Sequence, residues 1–330
     1  MEKLPQKTPD VSIVLAVYNE ELSLTKELEI IKSAMDRSAY TYEVIVIDDC
    51  STDQSYEIAK KVPWITLIRH RSNRGSGAAR KTGLKQAQGQ WVVWSDVDLS
   101  YPNEKIPQMI MHLEQQQLDQ LIGQRRTEKG TKKLLRFTAK WIIRKIASIL
   151  VNRKIPDLNS GLRILNRSVA LKYLHMIPDG FSCVSTMTLA FLCDGYLVDF
   201  YPIDYKPREG KSKFHPLKDT YYYLIQVIRM VMYFNPLRII LPISLSVLFF
   251  GMCTMIYNIF WGIGGLQQSD IVILSFGISI AVVGLLADLI ITINKASHIQ
   301  TDLCAPIIKE PAHSRTTGIA SKTLPNLKMN

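Results

Sequence analysis

Two aspartates one residue apart, Asp96 and Asp98, follow the apolar run 91–95 in a chain otherwise rich in bases, with 40 Lys and Arg against 29 Asp and Glu and a formal charge of +11. Carboxylates so placed at a strand end can share a hard divalent cation, which in turn can hold a diphosphate. Asp48 and Asp49 close another apolar run. If the two runs lie on one sheet edge, their carboxylates converge and call for a compensating cation. The competing reading of either pair is an exposed acidic turn. The positive balance of the whole chain points to an anionic partner, which could be nucleic acid, a phosphorylated substrate or an anionic membrane surface.

A glycine-rich stretch, Gly75-Ser76-Gly77-Ala78-Ala79-Arg80-Lys81-Thr82, meets neither the phosphate-loop nor the dinucleotide spacing, because Arg80 stands where each needs a glycine. It reads equally as a tight strand-to-helix turn or as a ligand contact. Cys50, Cys183, Cys193, Cys253 and Cys304 are odd in number and scattered, which argues against a disulfide framework or a zinc site.

The elements that must position these groups alternate in type. Short β-branched runs at 11–17, 43–48 and 65–69 are followed by amphipathic stretches at 21–37, 52–62 and 76–87, and 91–95 is a fourth run. This pattern predicts an α/β domain with a mostly parallel sheet and helices on both faces. Ligands of such sheets sit at the carboxyl ends of the strands. The residues placed there are Tyr18-Asn19-Glu20, Asp48-Asp49, Asn73-Arg74-Gly75 and Asp96-Val97-Asp98.

The last third of the chain changes character. Residues 239–261 carry no charge and 271–293 carry only Asp288. Each would reach roughly 35 Å as a helix, enough for a hydrocarbon core of about 30 Å, and both are read as transmembrane helices. The linker 262–270 lacks Lys and Arg, whereas Arg229, Arg238 and Lys295 flank the pair, so the linker is expected outside and both termini in the cytoplasm. Residues 1–10 are polar, and no signal peptide is expected. Lys133, Arg136, Lys140 and Arg144 form one helical stripe opposite Leu135, Ile142, Ile146 and Ile149, which reads as a helix lying on an anionic leaflet or as a solvated face on the domain. Residues 217–234 read as a second interfacial helix. Gly277 and Ala281, with Ser275, Ser279 and Gly284 nearby, and the polar Asn258 and Asp288, suggest a homo-oligomer, dimer or tetramer, held through the membrane helices. The competing reading has Asp288 snorkelling to water. No recognised nucleic-acid motif accompanies the bases, so no nucleic-acid partner is expected.

Six ordered motifs carry a resemblance. They are Ala16-Val17-Tyr18-Asn19-Glu20, Val46 through Asp53, Asn73 through Arg80, Asp96-Val97-Asp98, Asp157-Leu158-Asn159-Ser160-Gly161-Leu162-Arg163, and Arg208-Glu209-Gly210-Lys211-Ser212-Lys213. Together they resemble the inverting family 2 glycosyltransferases, which have the GT-A, Rossmann-like fold. With the two apolar helices, residues 10–298 resemble the polyprenyl-phosphate branch and its GtrB-type bactoprenol glucosyltransferases. The resemblance implies a cytoplasmic nucleotide-sugar transferase domain over 1–215, an interfacial helix over 216–236 and a two-helix transmembrane hairpin over 237–298, in a bacterial inner membrane. Residues 299–330 lie outside the resemblance and read as a flexible cytoplasmic tail.

It further implies that Ala16, Tyr18, Glu20, Asp49, Asp96 and Arg208 bind the nucleotide sugar and that Asp96 and Asp98 hold Mg2+ or Mn2+. Asp157 is implied as the catalytic base, or as an orienting group, since a polyprenyl monophosphate with a second pKa of about 6 is already an anion; the competing reading is a carboxylate that caps the Asn159-Ser160-Gly161 turn. Arg125 and Arg126, and Arg208 with Lys211 and Lys213, are by their own chemistry candidates to grip the acceptor phosphate and the donor diphosphate, with Ser160 placed at the acceptor phosphate; the competing reading of each base is a surface charge. Where the related dolichyl-phosphate mannose synthases carry a glutamine two residues beyond D-x-D, this chain has Ser100. The expected substrates are UDP-glucose and undecaprenyl or another polyprenyl phosphate. Two rival readings are a processive polysaccharide synthase, whose Q-x-x-R-W signature is approached by Gln226 through Met230 but lacks the tryptophan, and a non-catalytic nucleotide-binding scaffold.

Overall fold

Side chains along the first strand, β1 (Val11–Val17), are buried on both faces: Val14 enters one core, while Ile13 and Leu15 enter another. That two-sided burial is what a central strand between two helical layers requires. The structure is a computed structural model, and it describes residues 8–125, 148, 151, 153–180, 182–206, 225, 228–262 and 265–304, with side chains to 293. β1 is followed by α1 (Leu24–Asp36), β2 (Tyr42–Asp48), α2 (Ser55–Lys60), β3 (Thr66–Arg69), α3 (Ser76–Gln86) and β4 (Trp91–Ser95). Beyond these lie α4 (Ile106–Gln115), β5 (Gln120–Arg125), β6 (Arg163–Asn166), α5 (Arg167–Lys172), α6 (Cys183–Cys193) and β7 (Val198–Ile203).

The seven strands form one sheet in the order β3-β2-β1-β4-β6-β5-β7. β3, β2, β1 and β4 are parallel, while β6 runs antiparallel to both β4 and β5. Leu15 pairs with Ser95 and Val17 with Asp48, so the carboxyl ends of β1, β2 and β4 share one edge. One face packs against α1 and α4 through Leu24, Leu28, Ile31, Met109 and Leu113, and the other against α3 and α6 through Leu84, Met187 and Phe191. Each such side chain contributes about 2 kcal/mol when removed from water. The parallel sheet with helices on both faces is therefore as expected, and the antiparallel β6 makes the whole sheet mixed.

Of the segment read as a second interfacial helix, residues 225 and 228–234 are described and helical. Met230 and Phe234 enter the core of the sheet domain, with the Phe234 ring 6.1 Å from that of Tyr173, while Ile228 and Tyr233 are exposed. Met230 thus fills a packing position where the synthase signature would have tryptophan. The basic stripe at Lys133, Arg136, Lys140 and Arg144 lies outside the described residues.

Two helices are long and apolar enough to cross a membrane, α7 (Leu237–Phe260) and the part of α8 over Gln268–Ile293. They pack on each other through small residues. A Cβ on Gly277 would stand 2.8 Å from the Leu248 side chain, and one on Gly284 would stand 2.8 Å from Ile240. Ser244 Oγ donates to the Gly277 carbonyl at 2.8 Å, and Asn258 Nδ2 donates to Asp270 at 3.0 Å. Gly277, Gly284 and Asn258, which prompted the expectation of assembly between chains, therefore have partners within one chain. α8 continues to Cys304, into the stretch expected to be a flexible tail.

Candidate active site

The carboxyl edge of the sheet opens into a cleft of about 340 Å3. Ala16, Tyr18, Glu20, Asp49, Asp96 and Asp98 all line it, together with Arg80, Asn73, Asn159 and Gly161. The chain must turn sharply to leave each strand here. Asn19, Cys50 and Leu99, just past β1, β2 and β4, all take left-handed φ values of 54°, 62° and 58°. Such strain persists where surrounding bonds over-determine the backbone. Asn19 shows how: its N–H donates to Ser51 Oγ at 3.1 Å and its Oδ1 accepts from the Thr52 N–H at 2.8 Å.

The four carboxylates after β2 and β4 do not share one cation. Asp48 is buried and pairs with Arg69 Nε at 3.2 Å. Asp49 accepts from His70 Nδ1 at 2.7 Å and from the backbone N–H groups of Arg74 and Gly75 at 3.0 and 2.7 Å. It thereby fixes the turn that leads into α3. Charge at the second strand end is thus met from within the fold, which leaves only Asp96 and Asp98 as a candidate metal pair.

Asp96 is about two-fifths exposed, and its Oδ1 accepts from Arg80 NH2 at 2.5 Å. Arg80 is buried between α3 and α6, where its NH1 also reaches Cys183 Sγ. Asp98 is buried, and its Oδ1 accepts from both the backbone N–H and the hydroxyl of Ser100. Ser100 therefore orients Asp98 rather than standing as a third donor to the cleft. Two hard oxygen ligands on one cleft wall fit a divalent cation of the magnesium or manganese type. Among the described residues no cluster of three or more His, Cys, Asp or Glu is present.

The glycine-rich turn packs closely on residues 178–180, and Gly75, Ser76 and Ala79 also line the cleft. The N–H groups of Gly77 and Ala78 donate to the Asp179 carbonyl at 2.8 and 3.2 Å, so the first amides of α3 are already taken. A Cβ at Gly77 would lie 2.0 Å from the Pro178 carbonyl oxygen, which explains the glycine by close approach.

Asp157 lies beside the cleft rather than on its wall, and it is buried. Its carboxylate is clamped by Arg125, with Nε at 2.7 Å and NH2 at 2.9 Å, and also accepts from the Asn159 N–H at 3.1 Å. Burial alone would raise this carboxyl, but the Arg125 hydrogen bonds and charge outweigh it and hold it below the usual 3.8. Two of the residues expected to act independently, Arg125 and Asp157, are thus one ion pair. Ser160 is fully buried, with no hydrogen-bond partner at its hydroxyl, and does not line the cleft. Arg163 holds the Ser160 carbonyl from below and also donates to Val184 O and to Thr188 Oγ1. Burial draws that guanidinium down to about 10. Arg126, Arg208, Lys211 and Lys213 lie outside the described residues.

Tyr101 joins the two loops: its hydroxyl accepts from the Gly161 N–H at 2.7 Å, and its ring packs edge-on to Tyr205 at 5.1 Å. A Cβ at Gly161 would stand 2.5 Å from Asp96 Oδ2. Arg80, Tyr101 and Gly161 had not been singled out as site residues. For Arg80 the signal was present, because helical spacing puts it on one stripe with Gly77 and Leu84, a buried face that requires a counter-charge.

Residues 12–174 match the family model described as glycosyl transferase family 2, and residues 235–293 match that described as the GtrB C-terminal hairpin. A dodecaprenyl-phosphate galacturonate synthase of Rhizobium johnstonii is 28% identical over half of each chain. An undecaprenyl-phosphate 4-deoxy-4-formamido-L-arabinose transferase of Photorhabdus laumondii is 34% identical over 48% of this chain and 50% of its own. The chain spans about half the length of these curated relatives. The fold is similar to that of glucosyl-3-phosphoglycerate synthase from Mycobacterium tuberculosis, solved with Mn2+, UDP-glucose and phosphoglyceric acid, at a TM-score of 0.52 and 17% identity over 68% of this chain and 79% of that one.

Proposed function

We propose that this chain, with a family 2 glycosyltransferase domain over residues 12–174 and a GtrB C-terminal hairpin over 235–293, transfers a hexose from a nucleoside diphosphate to a polyprenyl monophosphate, inverting the anomeric carbon. The donor and acceptor are proposed as UDP-glucose and undecaprenyl phosphate, and the products as polyprenyl-phosphate-glucose and UDP. The observation that carries the reading is the convergence of Tyr18, Glu20, Asp49, Asp96 and Asp98 on one cleft in a domain followed by two apolar helices. Relatives named for transfer to polyprenyl phosphates support the acceptor class. UDP-glucose rests on the resemblance of the motifs. The domain is proposed to face the cytoplasm at a bacterial inner membrane, as the flanking Arg229, Arg238 and Lys295 favour.

Asp96 and Asp98 would hold Mg2+ or Mn2+. A bound divalent cation supplies neutralisation of the charge that develops on the departing diphosphate. Arg80 braces Asp96 from below, and Ser100 turns Asp98 toward its place. The acceptor needs no strong base, because its phosphate is already ionised near neutral pH. Asp157, tied to Arg125, then serves to place that guanidinium beside the acceptor rather than to take a proton. Attack from the face opposite the diphosphate inverts the anomer.

The test is incorporation of label from radioactive UDP-glucose into an organic-extractable, mild-acid-labile lipid when undecaprenyl phosphate is supplied. Label in a polymer would replace this reading with the synthase, and no incorporation from any of UDP-glucose, UDP-galactose, UDP-N-acetylglucosamine or GDP-mannose would reject it.

A further inference from the structure

Helix α1 buries a carboxylate that the chemistry above does not use. Glu27 is fully buried beneath loop 96–103 and does not line the cleft. Its Oε2 accepts from the Leu99 N–H at 3.2 Å, and its Oε1 accepts from Asn103 Nδ2 at 2.6 Å. Asn103 Oδ1 in turn accepts from Ser95 Oγ at 2.7 Å. Ser95 ends β4 and immediately precedes Asp96. The contacts close a ring in which the start, middle and end of the loop that carries both aspartates are tied to one side chain.

Two features say that this ring is more than filling. Leu99 holds a left-handed φ of 58°, which is costly for a residue with a Cβ, and its amide bond to Glu27 is the contact that opposes relaxation. The choice of side chain is costly too. Burial pushes the Glu27 carboxyl up to about 7, against the two hydrogen bonds that lower it. A carboxylate is nevertheless the group that accepts from two donors at once, whereas a glutamine would aim its own amide hydrogens at one of them.

We propose that Glu27 is a positioning residue for the Asp96–Asp98 pair, setting through Leu99 and Asn103 the separation and aim of the two carboxylates and hence the affinity of the site for a divalent cation. The inference rests on the reading of those aspartates as metal ligands. Partners bonded directly to a metal ligand commonly govern affinity by about 10- to 100-fold, and Glu27, which acts one step further back through Leu99 and Asn103, is expected at the lower end of that range.

The experiment uses the full chain in detergent and follows Mn2+ binding by electron paramagnetic resonance in the presence of UDP, with UDP affinity measured separately without metal. Glu27→Gln should weaken Mn2+ binding about tenfold while UDP affinity in the absence of metal is unchanged. Adding Asn103→Asp reverses donor and acceptor, leaves Ser95 its acceptor, and should bring Mn2+ affinity back to within about threefold of the unaltered protein. Unaltered Mn2+ affinity in Glu27→Gln would overturn the inference and leave the metal reading standing. So would failure of the double variant to recover, or loss of metal-free UDP binding by Glu27→Gln, which would make the residue a support of the whole domain. Absence of Mn2+ binding by the unaltered protein would remove the metal reading and this inference with it.

Discussion

Loops 96–103 and 157–161 meet at one end of the sheet, joined by the bond between Tyr101 and Gly161, and they treat their carboxylates differently. Asp98 accepts from a hydroxyl and an amide of its own loop, and Asp96 offers one oxygen to a buried arginine while about two-fifths of its side chain stays exposed. Asp157 is clamped at both oxygens by one guanidinium. A carboxylate that meets an arginine through one oxygen, as Asp96 does, keeps a partly exposed side toward a ligand, whereas one chelated through both oxygens is spent on orientation. That difference is what the proposed roles require, metal holding by the first loop and acceptor placement by the second.

The strongest way to break that assignment is Asp98→Ala. Loss of a metal ligand removes several kcal/mol of charge stabilisation, so turnover should fall by roughly three orders of magnitude while the protein stays folded by circular dichroism and remains in membranes. Excess chelator should mimic the variant. Full activity in chelator would end the metal reading of this loop.

Gly161→Ala tests the meeting point. Its new methyl would lie 2.5 Å from Asp96 Oδ2, so either the carboxylate or the acceptor loop must move. A displacement of that size should cost about 10²-fold in kcat. Wild-type turnover would mean that the two loops are not registered against each other.

Asp157→Asn should cost less, about tenfold in kcat, the value of one charged hydrogen-bond pair. Its pH profile is the sharper readout. The folded-state value lies below 3.8, so the carboxylate is ionised throughout neutral pH, and the stability it contributes is present above its unfolded value and lost only as pH falls through the lower folded one. An acid limb near pH 6 should therefore belong to the acceptor phosphate, with activity rising as its second proton leaves. That limb should stay in place in Asp157→Asn. Its disappearance would restore Asp157 as a base.

The contrast also explains what could be read from sequence. The parallel half of the sheet was legible because β1 and β4 are mostly β-branched or aromatic runs, and both occupy the expected 11–17 and 91–95. The first helix begins at Leu24 rather than 21 because Ser23 and Leu24 turn back onto the Glu20 carbonyl. β6 is only four residues long and slots antiparallel between β4 and β5, an order that no local pattern announces. At the site, the residue types that bear charge were visible, and their partners were not. Arg125 and Asp157 are 32 residues apart, and Glu27 and Asn103 are 76 apart. Arg80 was hidden inside a glycine-rich pattern whose spacing drew attention to the wrong question.

The smallest expected effect distinguishes a ligand from its support. If Ser100 were a third metal ligand, as the glutamine at the same place in dolichyl-phosphate mannose synthases suggests, Ser100→Ala would lower kcat even at saturating Mn2+. In this structure its hydroxyl instead donates to Asp98 Oδ1, and the same oxygen also accepts from the Ser100 N–H at 3.2 Å, a bond that alanine retains. Of the two bonds that Ser100 makes to Asp98, only the hydroxyl's is then lost. That is worth about 1 kcal/mol, or about fivefold in the Mn2+ concentration needed for half-maximal rate. kcat at saturating metal should be unchanged, since the cation, once bound, sits on the same two aspartates. A parallel fall in kcat would move Ser100 into the coordination shell and make the first loop a three-donor site.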